Sequence, residues 1–280
     1  QIAASELPAI DATAGEMYIE RYLQFLPENC LKALRVGVYE HSGVGRDLLR
    51  LILQQLGAEV TPLARSDTFI PVDTEAVRRE DEALAEAWAT AEHFDLLVSA
   101  DGDGDRPLVG DEKGVWLRGD VAGVLTAHYL DAEAVVTPVS SNTVAERSGW
   151  FARVLRTRIG SPYVIEGMKA LRDDGFERIA GYEANGGFLT FTAMHDDGRE
   201  LSALPTRDAV IVALAVLLLA GRHGMPVSQL TSLLPARFTA SDRLQNFPTE
   251  LSRQRIDHLA GDRKRFETEF PGLGEVVDLD

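Results

Sequence analysis

The sequence is poor in cysteine: Cys30 is the only one among 280 residues. An internal disulfide is therefore excluded, and no signal-peptide pattern opens the sequence. We expect a reducing, cytoplasmic setting, because chains without disulfides are typical of that compartment.

Basic residues and long apolar runs are also scarce. Lys and Arg total 28 against 44 Asp and Glu, which gives a formal net charge of -16. Such a surface repels nucleic acid and anionic lipid, so we expect neither nucleic acid nor membrane as a partner, and any phosphate site must be a local basic pocket. The longest apolar run, "AVIVALAVLLLA" at residues 209–220, is too short to cross a bilayer and predicts a buried helix.

What the sequence does contain is an alternation of two kinds of segment. Apolar, β-branched runs at residues 33–40, 58–63 and 94–100 predict strands, and the helical periodicity of residues 74–93 predicts a helix between the last two. From residue 132 onward the same order returns. This alternation predicts an α/β protein with two doubly wound, mixed or parallel sheets in tandem.

The stretch "DGDGDR" places three aspartates at alternate positions of a glycine-rich loop, namely Asp101, Asp103 and Asp105. Carboxylates this close repel one another unless something positive lies among them. One oxygen from each, turned to a common point, suits Mg²⁺, a hard cation that prefers oxygen ligands. The plainer alternative is a solvated acidic turn, since Asp and Gly are common turn residues.

A calcium-binding EF-hand loop is a third interpretation of the same stretch. Counted from Asp101, Glu112 matches the twelfth position of such a loop, but Arg106 stands at the sixth, where glycine is needed. A strand also leads into the loop where an EF-hand requires a helix. Arg106 itself either neutralises the aspartates or, with a metal bound, contacts an anion such as phosphate.

A second glycine-rich turn, "GYEANGGF", carries Glu183 and Asn185 on either side of one residue. Both side chains can then lie on one side of the turn, where a carboxylate and an amide can hydrogen-bond vicinal sugar hydroxyls. Alternatively, Asn185 and Gly186 simply form a hairpin turn. The six histidines are scattered and show no metal-ligand spacing.

Three stretches together resemble the α-D-phosphohexomutases, the enzymes that include phosphomannomutase and phosphoglucomutase. "DGDGDR" after an apolar strand resembles their metal-binding loop, "RTRIGSPYVIEGM" a loop of their third domain, and "GYEANGGF" their sugar-recognition loop. The resemblance covers residues 17–234, which correspond to the second and third of four family domains.

The resemblance implies a domain organisation. Residues 1–15 end a missing first domain or form a linker, and residues 16–130 form the domain with the metal loop. Residues 131–236 then form the domain with the sugar loop, and residues 237–280 a linker and the start of a missing C-terminal domain. Because the chain begins at Gln1 and ends on an apolar alternation, we expect a piece of a longer protein.

The resemblance also implies a reaction, the reversible transfer of a phosphoryl group between C1 and C6 of a hexose phosphate. It would proceed through a phosphoserine and a hexose bisphosphate, with mannose phosphate favoured or glucose phosphate as substrate. Mg²⁺ would lie on the three aspartates, with Arg106 as the catalytic arginine. The substrate-binding residues would be Glu183, Asn185, Arg158 and Gly160.

The sequence departs from the family pattern at several positions. Asn185 stands where the family commonly has Ser, and Ser161 where some members have His. The "TAS" at residues 239–241 lacks the His-Asn-Pro of the phosphoserine loop, so the nucleophilic serine is expected outside this chain, in missing domains of the same protein. We therefore expect these 280 residues to have little mutase activity. The alternative is a noncatalytic module that binds a sugar phosphate or Ca²⁺.

Overall fold

The structure is a computed structural model that describes residues 11–241, 246–260 and 262–271. The described residues up to Thr239 form one compact unit, and those from Ala240 onward form a second. The elements of the first half are α1 (Thr13–Phe25), β1 (Arg35–Tyr39), α2 (Arg46–Gln55), β2 (Glu59–Leu63), α3 (Arg79–Glu92), β3 (Leu96–Ala100) and β4 (Pro107–Gly110).

The first sheet has the strand order β2-β1-β3-β4. Its first three strands are parallel, and β4 runs antiparallel to β3. A tight hairpin of polar residues therefore joins β3 to β4, and this hairpin is the "DGDGDR" stretch.

The second sheet repeats the topology of the first. Its order is β6-β5-β7-β8, with three parallel strands followed by an antiparallel edge strand. The elements are α4 (Gly119–Tyr129), β5 (Ala134–Pro138), α5 (Val144–Ser148), β6 (Arg153–Thr157), α6 (Ser161–Asp173), β7 (Ile179–Tyr182), β8 (Phe188–Thr190), β9 (Met194–Asp196), β10 (Arg199–Leu201), α7 (Ala209–His223) and a 3-10 helix (Val227–Leu233). The predicted α/β class with two parallel-dominated sheets is confirmed, and the loop "GYEANGGF" takes the same place in this sheet as the aspartate loop in the first.

Helix α7 is the predicted buried helix, and most of its residues are inaccessible to solvent. It packs on α4 and on strands of both sheets, so a single apolar cluster draws side chains from both. Among the described residues, no single helix is long and apolar enough to span a membrane. Helix α7 and the following 3-10 helix together have the length and apolar composition of a span, but they are bent by 77° relative to each other. The domain boundary near residue 130 stays a prediction.

The helix predicted over residues 74–93 begins only at Arg79. Arg78 is extended, and the Thr74 hydroxyl donates a hydrogen bond to the backbone oxygen of Asn185 at 2.7 Å. Residues 74–78 are therefore not helical, and Thr74 instead contacts the distant "GYEANGGF" loop. Local helix propensity does not predict this arrangement.

In the second unit the structure describes α8 (Thr249–Leu259) and α9 (Arg263–Glu269), and no residue of either helix is buried. The rings of Phe266 and Phe270 pack against each other with centroids 4.8 Å apart.

Candidate active site

Backbone hydrogen bonds close the aspartate loop. The Asp101 amide donates to the Arg106 carbonyl oxygen at 3.0 Å, and the Gly104 amide donates to the Asp101 carbonyl oxygen at 3.2 Å. Gly104 has a positive φ of 79°, and a Cβ there would lie 3.4 Å from the amide nitrogen of Gly45. Glycine at this position therefore allows the tight turn and the close approach of the loop that follows β1.

The loop brings the three predicted ligands together. One carboxylate oxygen from each of Asp101, Asp103 and Asp105 lies within 4.8 Å of the others. Asp101 is buried, and Asp105 Oδ1 is buried without a hydrogen bond from any residue that the structure describes. An orphaned buried carboxylate oxygen fits a site for a divalent cation, because burying an anionic oxygen without a partner is costly.

Burial and the charges of Asp105 and Asp103 together raise the pKa of Asp101 to about 6, although the backbone hydrogen bond from Arg106 acts in the opposite direction. The ionised loop therefore carries more negative charge than its surroundings compensate. A bound cation would relieve this repulsion.

Replacing Asp101 by asparagine is expected to stabilise the cation-free protein near neutral pH. Because the folded-state pKa lies above the ordinary 3.8, the native state binds more protons between these values, and the ionised carboxylate costs stability that returns as the pH falls. In urea unfolding with EDTA, we expect Asp101→Asn to exceed the wild type by roughly 2 kcal/mol at pH 7.5 and by less than about 1 kcal/mol at pH 4.5.

The matched control for this prediction is Asp173→Asn, since Asp173 is exposed on α6. Its difference from the wild type should stay nearly constant between the two pH values. An Asp101→Asn advantage that is equally large at pH 4.5 would contradict the assigned shift.

Arg106 lies among the aspartates, as its position in the sequence predicts. Its Nε is 3.7 Å from Asp101 Oδ2 and 3.7 Å from Asp105 Oδ1, and its side chain is 40% exposed. The neutralising ion pairs are therefore present. At this exposure the guanidinium also remains accessible to an anion that enters from solvent.

Glu112, the twelfth-position residue of the EF-hand alternative, is engaged elsewhere. Its two carboxylate oxygens accept hydrogen bonds from Ser228, one from the amide at 3.0 Å and one from the hydroxyl at 2.5 Å. It thus holds the start of the 3-10 helix, and it is not in the cluster of the three aspartates. The loop lacks the bidentate glutamate that completes an EF-hand site.

The "GYEANGGF" loop is the hairpin between β7 and β8. Glu183 is 2% exposed, and its backbone exchanges hydrogen bonds with Gly187 and Gly186 across the turn. Asn185 Oδ1 accepts a hydrogen bond from the Gly187 amide at 3.0 Å. The turn role that the sequence left open for Asn185 is therefore present, and its contact with a sugar stays a prediction.

One functional residue was not identified from the sequence. Arg207 donates from Nη1 to Asp105 Oδ2 at 3.0 Å and from Nε to Glu183 Oε2 at 2.6 Å. It joins the aspartate loop to the second hairpin although it is 102 residues from Asp105 in the chain. A lone arginine two residues before a helix carries no motif, so no local signal in the sequence marks it.

The structure places the other two predicted residues apart from the aspartate loop. Arg158 is exposed in the connection between β6 and α6, where its backbone oxygen accepts a hydrogen bond from the Thr157 hydroxyl at 3.0 Å and its side chain makes no hydrogen bond or ion pair within the described part of the chain. Gly160 precedes α6 with a positive φ of 127°. Neither lines the cleft beside the aspartates, and their contact with a substrate stays a prediction.

A cleft of about 400 Å³ opens beside the aspartate loop. Its lining includes the three aspartates, Arg207 and the residues that follow β1. His41 lies there, buried, with Nε2 2.7 Å from the Ala100 carbonyl oxygen and Nδ1 without a hydrogen bond from any described residue. Burial lowers the pKa of His41, so the ring supports the loop as a neutral donor.

Two family models match most of the chain. Residues 16–114 match the one described as phosphoglucomutase/phosphomannomutase, alpha/beta/alpha domain II, and residues 118–238 match domain III of the same series. The chain belongs to the phosphoglucomutase/phosphomannomutase family. The predicted correspondence with the second and third domains of the phosphohexomutases is confirmed.

Curated relatives bear the same family names. The phosphomannomutase of Salmonella muenchen is 46% identical over 257 residues, which cover 92% of this chain and 53% of that protein. The phosphomannomutase of Sinorhizobium fredii is 40% identical over 267 residues, which cover 95% of this chain and 56% of that protein. The chain thus spans about half the length of the curated relatives it matches.

A solved phosphohexomutase structure shows the same fold. The phosphoglucomutase/phosphomannomutase family protein of Burkholderia thailandensis superposes with a TM-score of 0.66 at 20% identity, over 95% of this chain and 54% of that one. Phosphohexomutases generally use a metal, and the aspartate loop of this family member can hold one.

Proposed function

We propose that these residues supply the cation site and the sugar-recognition site of a cytoplasmic phosphohexomutase that acts on mannose phosphate. The observation that carries the proposal is that Asp105 and Glu183, on equivalent hairpins of the two sheets, meet on one guanidinium. A cation loop and a carboxylate suited to sugar hydroxyls are thereby held side by side. Phosphomannomutase relatives at 40% and 46% identity favour mannose phosphate over glucose phosphate.

In the proposed reaction, the phosphoryl group leaves a serine oxygen for a hydroxyl of the hexose phosphate. The P–O bond to serine breaks as the bond to the sugar forms, and the proton of the attacking sugar hydroxyl passes to the serine oxygen that leaves. The bisphosphate then turns in the site and returns its other phosphoryl group to the serine. The three aspartates would hold Mg²⁺, which when bound would withdraw charge from the phosphoryl oxygens.

The residues of this chain have separate roles in the proposal. Arg106 steadies phosphoryl oxygens as the P–O bond loosens, because a guanidinium can pair with two of them at once. Glu183 and Asn185 hold the sugar hydroxyls in either orientation of the bisphosphate. Arg158 and Gly160 contact the phosphate at the far end of the sugar, where a guanidinium and the N-terminus of α6 favour an anion.

The phosphoserine is proposed to come from outside these 280 residues, since no Thr-Ala-Ser-His-Asn-Pro stretch occurs in them. We expect the chain alone to convert mannose 1-phosphate poorly when a hexose bisphosphate is supplied as activator. A coupled assay of mannose 6-phosphate formation measures this. Robust turnover would show that the nucleophile lies within this chain.

The cation site is tested separately with Asp103→Asn. Asp103 is exposed, so the substitution removes a ligand without unpairing a buried group. Isothermal titration with MgCl₂ should show affinity lower by at least about tenfold, while the surface control Asp173→Asn should bind as the wild type does. Equal Mg²⁺ affinity of Asp103→Asn and the wild type would contradict the ligand assignment.

A further inference from the structure

Contacts of the neighbouring residue Asp208 fix the backbone position of Arg207, and two carboxylates fix its side chain. Its neighbour Asp208 caps α7, accepting from the Ile211 amide at 3.3 Å, and the Asp208 amide donates to the Phe188 carbonyl oxygen at 2.8 Å. The backbone of Arg207 is thus tied to both a buried helix and an edge strand of the second sheet. From that base the side chain reaches both hairpins.

The path of the Arg207 side chain explains the second glycine of "NGG". A Cβ on Gly187 would lie 2.7 Å from Arg207 Cδ and 2.9 Å from its Nε. Any larger residue at position 187 would displace the guanidinium. Gly186, by contrast, has a positive φ of 89°, so the two glycines meet different requirements.

The two carboxylates that pair with Arg207, those of Glu183 and Asp105, differ in their other contacts. Glu183 is almost fully buried, and within the described part of the chain Arg207 is the one cation within ion-pair distance of it. Asp105 gives only Oδ2 to Arg207, at 3.0 Å, while its Oδ1 lies 3.7 Å from Arg106 Nε and accepts no hydrogen bond from any described residue. The guanidinium therefore fixes the orientation of Asp105 and leaves one oxygen for a cation.

We propose that Arg207 is a positioning residue that couples the cation site to Glu183. It orients the carboxylate of Asp105 for the cation and pairs with Glu183 in its buried place, so a change at either carboxylate alters how the guanidinium is shared with the other. The inference rests on the proposed function, because it takes Mg²⁺ as the ligand of the aspartate loop. The coupling needs no contact between Glu183 and the cation.

A double-mutant cycle on the 280-residue chain tests this coupling, with isothermal titration of MgCl₂ as the measurement. Glu183→Gln removes the competing carboxylate, so the guanidinium pairs more fully with Asp105, and we expect Mg²⁺ affinity to fall by about fivefold. In the Arg207→Met background the same Glu183→Gln substitution should leave Mg²⁺ affinity unchanged. An effect of Glu183→Gln that does not pass through Arg207 would be the same in both backgrounds.

The variants are chosen so that folding does not obscure the result. Arg207→Met leaves Glu183 buried and unpaired, but Arg207→Met with Glu183→Gln removes both charges together and should retain a cooperative thermal transition. Arg178→Lys, which alters an ion pair with Asp131 away from the cleft, is the matched control and should bind Mg²⁺ as the wild type does.

Each outcome decides between two hypotheses. An equal effect of Glu183→Gln in both backgrounds, or no effect in the wild-type background, would overturn the coupling while leaving the proposed function intact. A wild-type chain that binds no Mg²⁺ would overturn the cation site of the proposed function, and the coupling with it.

Discussion

Replacing Gly119 by alanine is expected to destabilise the protein by about 3 kcal/mol or more. Gly119 is the first residue of α4, and a Cβ there would lie 2.1 Å from the Gly186 amide nitrogen and 2.5 Å from the Ala184 carbonyl oxygen. Both are backbone atoms of the "GYEANGGF" hairpin, so no side-chain rotation relieves the clash. The helix and the hairpin would have to separate, and the contacts of Glu183 would change with them.

Gly221→Ala is the matched control for this prediction. Gly221 lies within α7, and a Cβ there would meet no other atom within 4 Å. Alanine is favoured over glycine inside a helix, so this substitution should stabilise the protein by up to about 1 kcal/mol. Urea unfolding of the two variants measures the difference, and a Gly119→Ala protein as stable as the wild type would show that the helix and the hairpin are not in close contact.

Replacing Asp208 by alanine is expected to destabilise the protein by about 3–5 kcal/mol. The carboxylate of Asp208 is 1% exposed and accepts hydrogen bonds from the hydroxyls of Tyr22 and Tyr18, the latter at 2.9 Å. Arg21 Nε lies 3.5 Å from its other oxygen. Alanine would leave two hydroxyl donors of α1 without their acceptor and Arg21 without this ion-pair partner, and it would also remove the cap of α7.

The tyrosines serve as donors to Asp208 over a wide pH range. Burial raises the pKa of both hydroxyls, and the negative charge of Asp208 raises it further. Tyr18→Phe removes only one of the hydrogen bonds and should cost about 1 kcal/mol. Guanidinium unfolding of the two variants is the measurement, and similar losses for both would mean that Asp208 does not organise the cluster.

The aspartate loop was predictable because its chemistry is local. Asp101, Asp103 and Asp105 are neighbours in the chain, so their spacing alone brings their carboxylates together, and the preceding strand β3 was evident from its apolar residues. The hairpin at "GYEANGGF" was predictable for the same reason, and its contact with a sugar stays a prediction. The predicted start of α3 at Thr74 was wrong, since the helix begins at Arg79. Thr74 instead contacts Asn185, a tertiary contact that no local pattern indicates.

The candidate site was only partly predictable. The sequence allowed two interpretations of Asn185, a residue that forms the turn and a residue that binds a ligand. No local signal distinguishes them, and the structure shows the contact of Asn185 with its own turn. The buried placement of His41 against the aspartate loop likewise depends on how the turn after β1 meets that loop.

By itself, the sequence determined the α/β class, the family and the two loops, because hydrophobic periodicity and short motifs depend on residues that are close together in the chain. Only the tertiary structure decided that Arg207 joins Asp105 to Glu183, that Asp208 anchors α1 to α7, and that Gly119 lies against the hairpin. These contacts join residues far apart in the chain, and their geometry depends on how two separately wound sheets pack around shared helices. The spacing of residues within a short segment therefore cannot predict that packing.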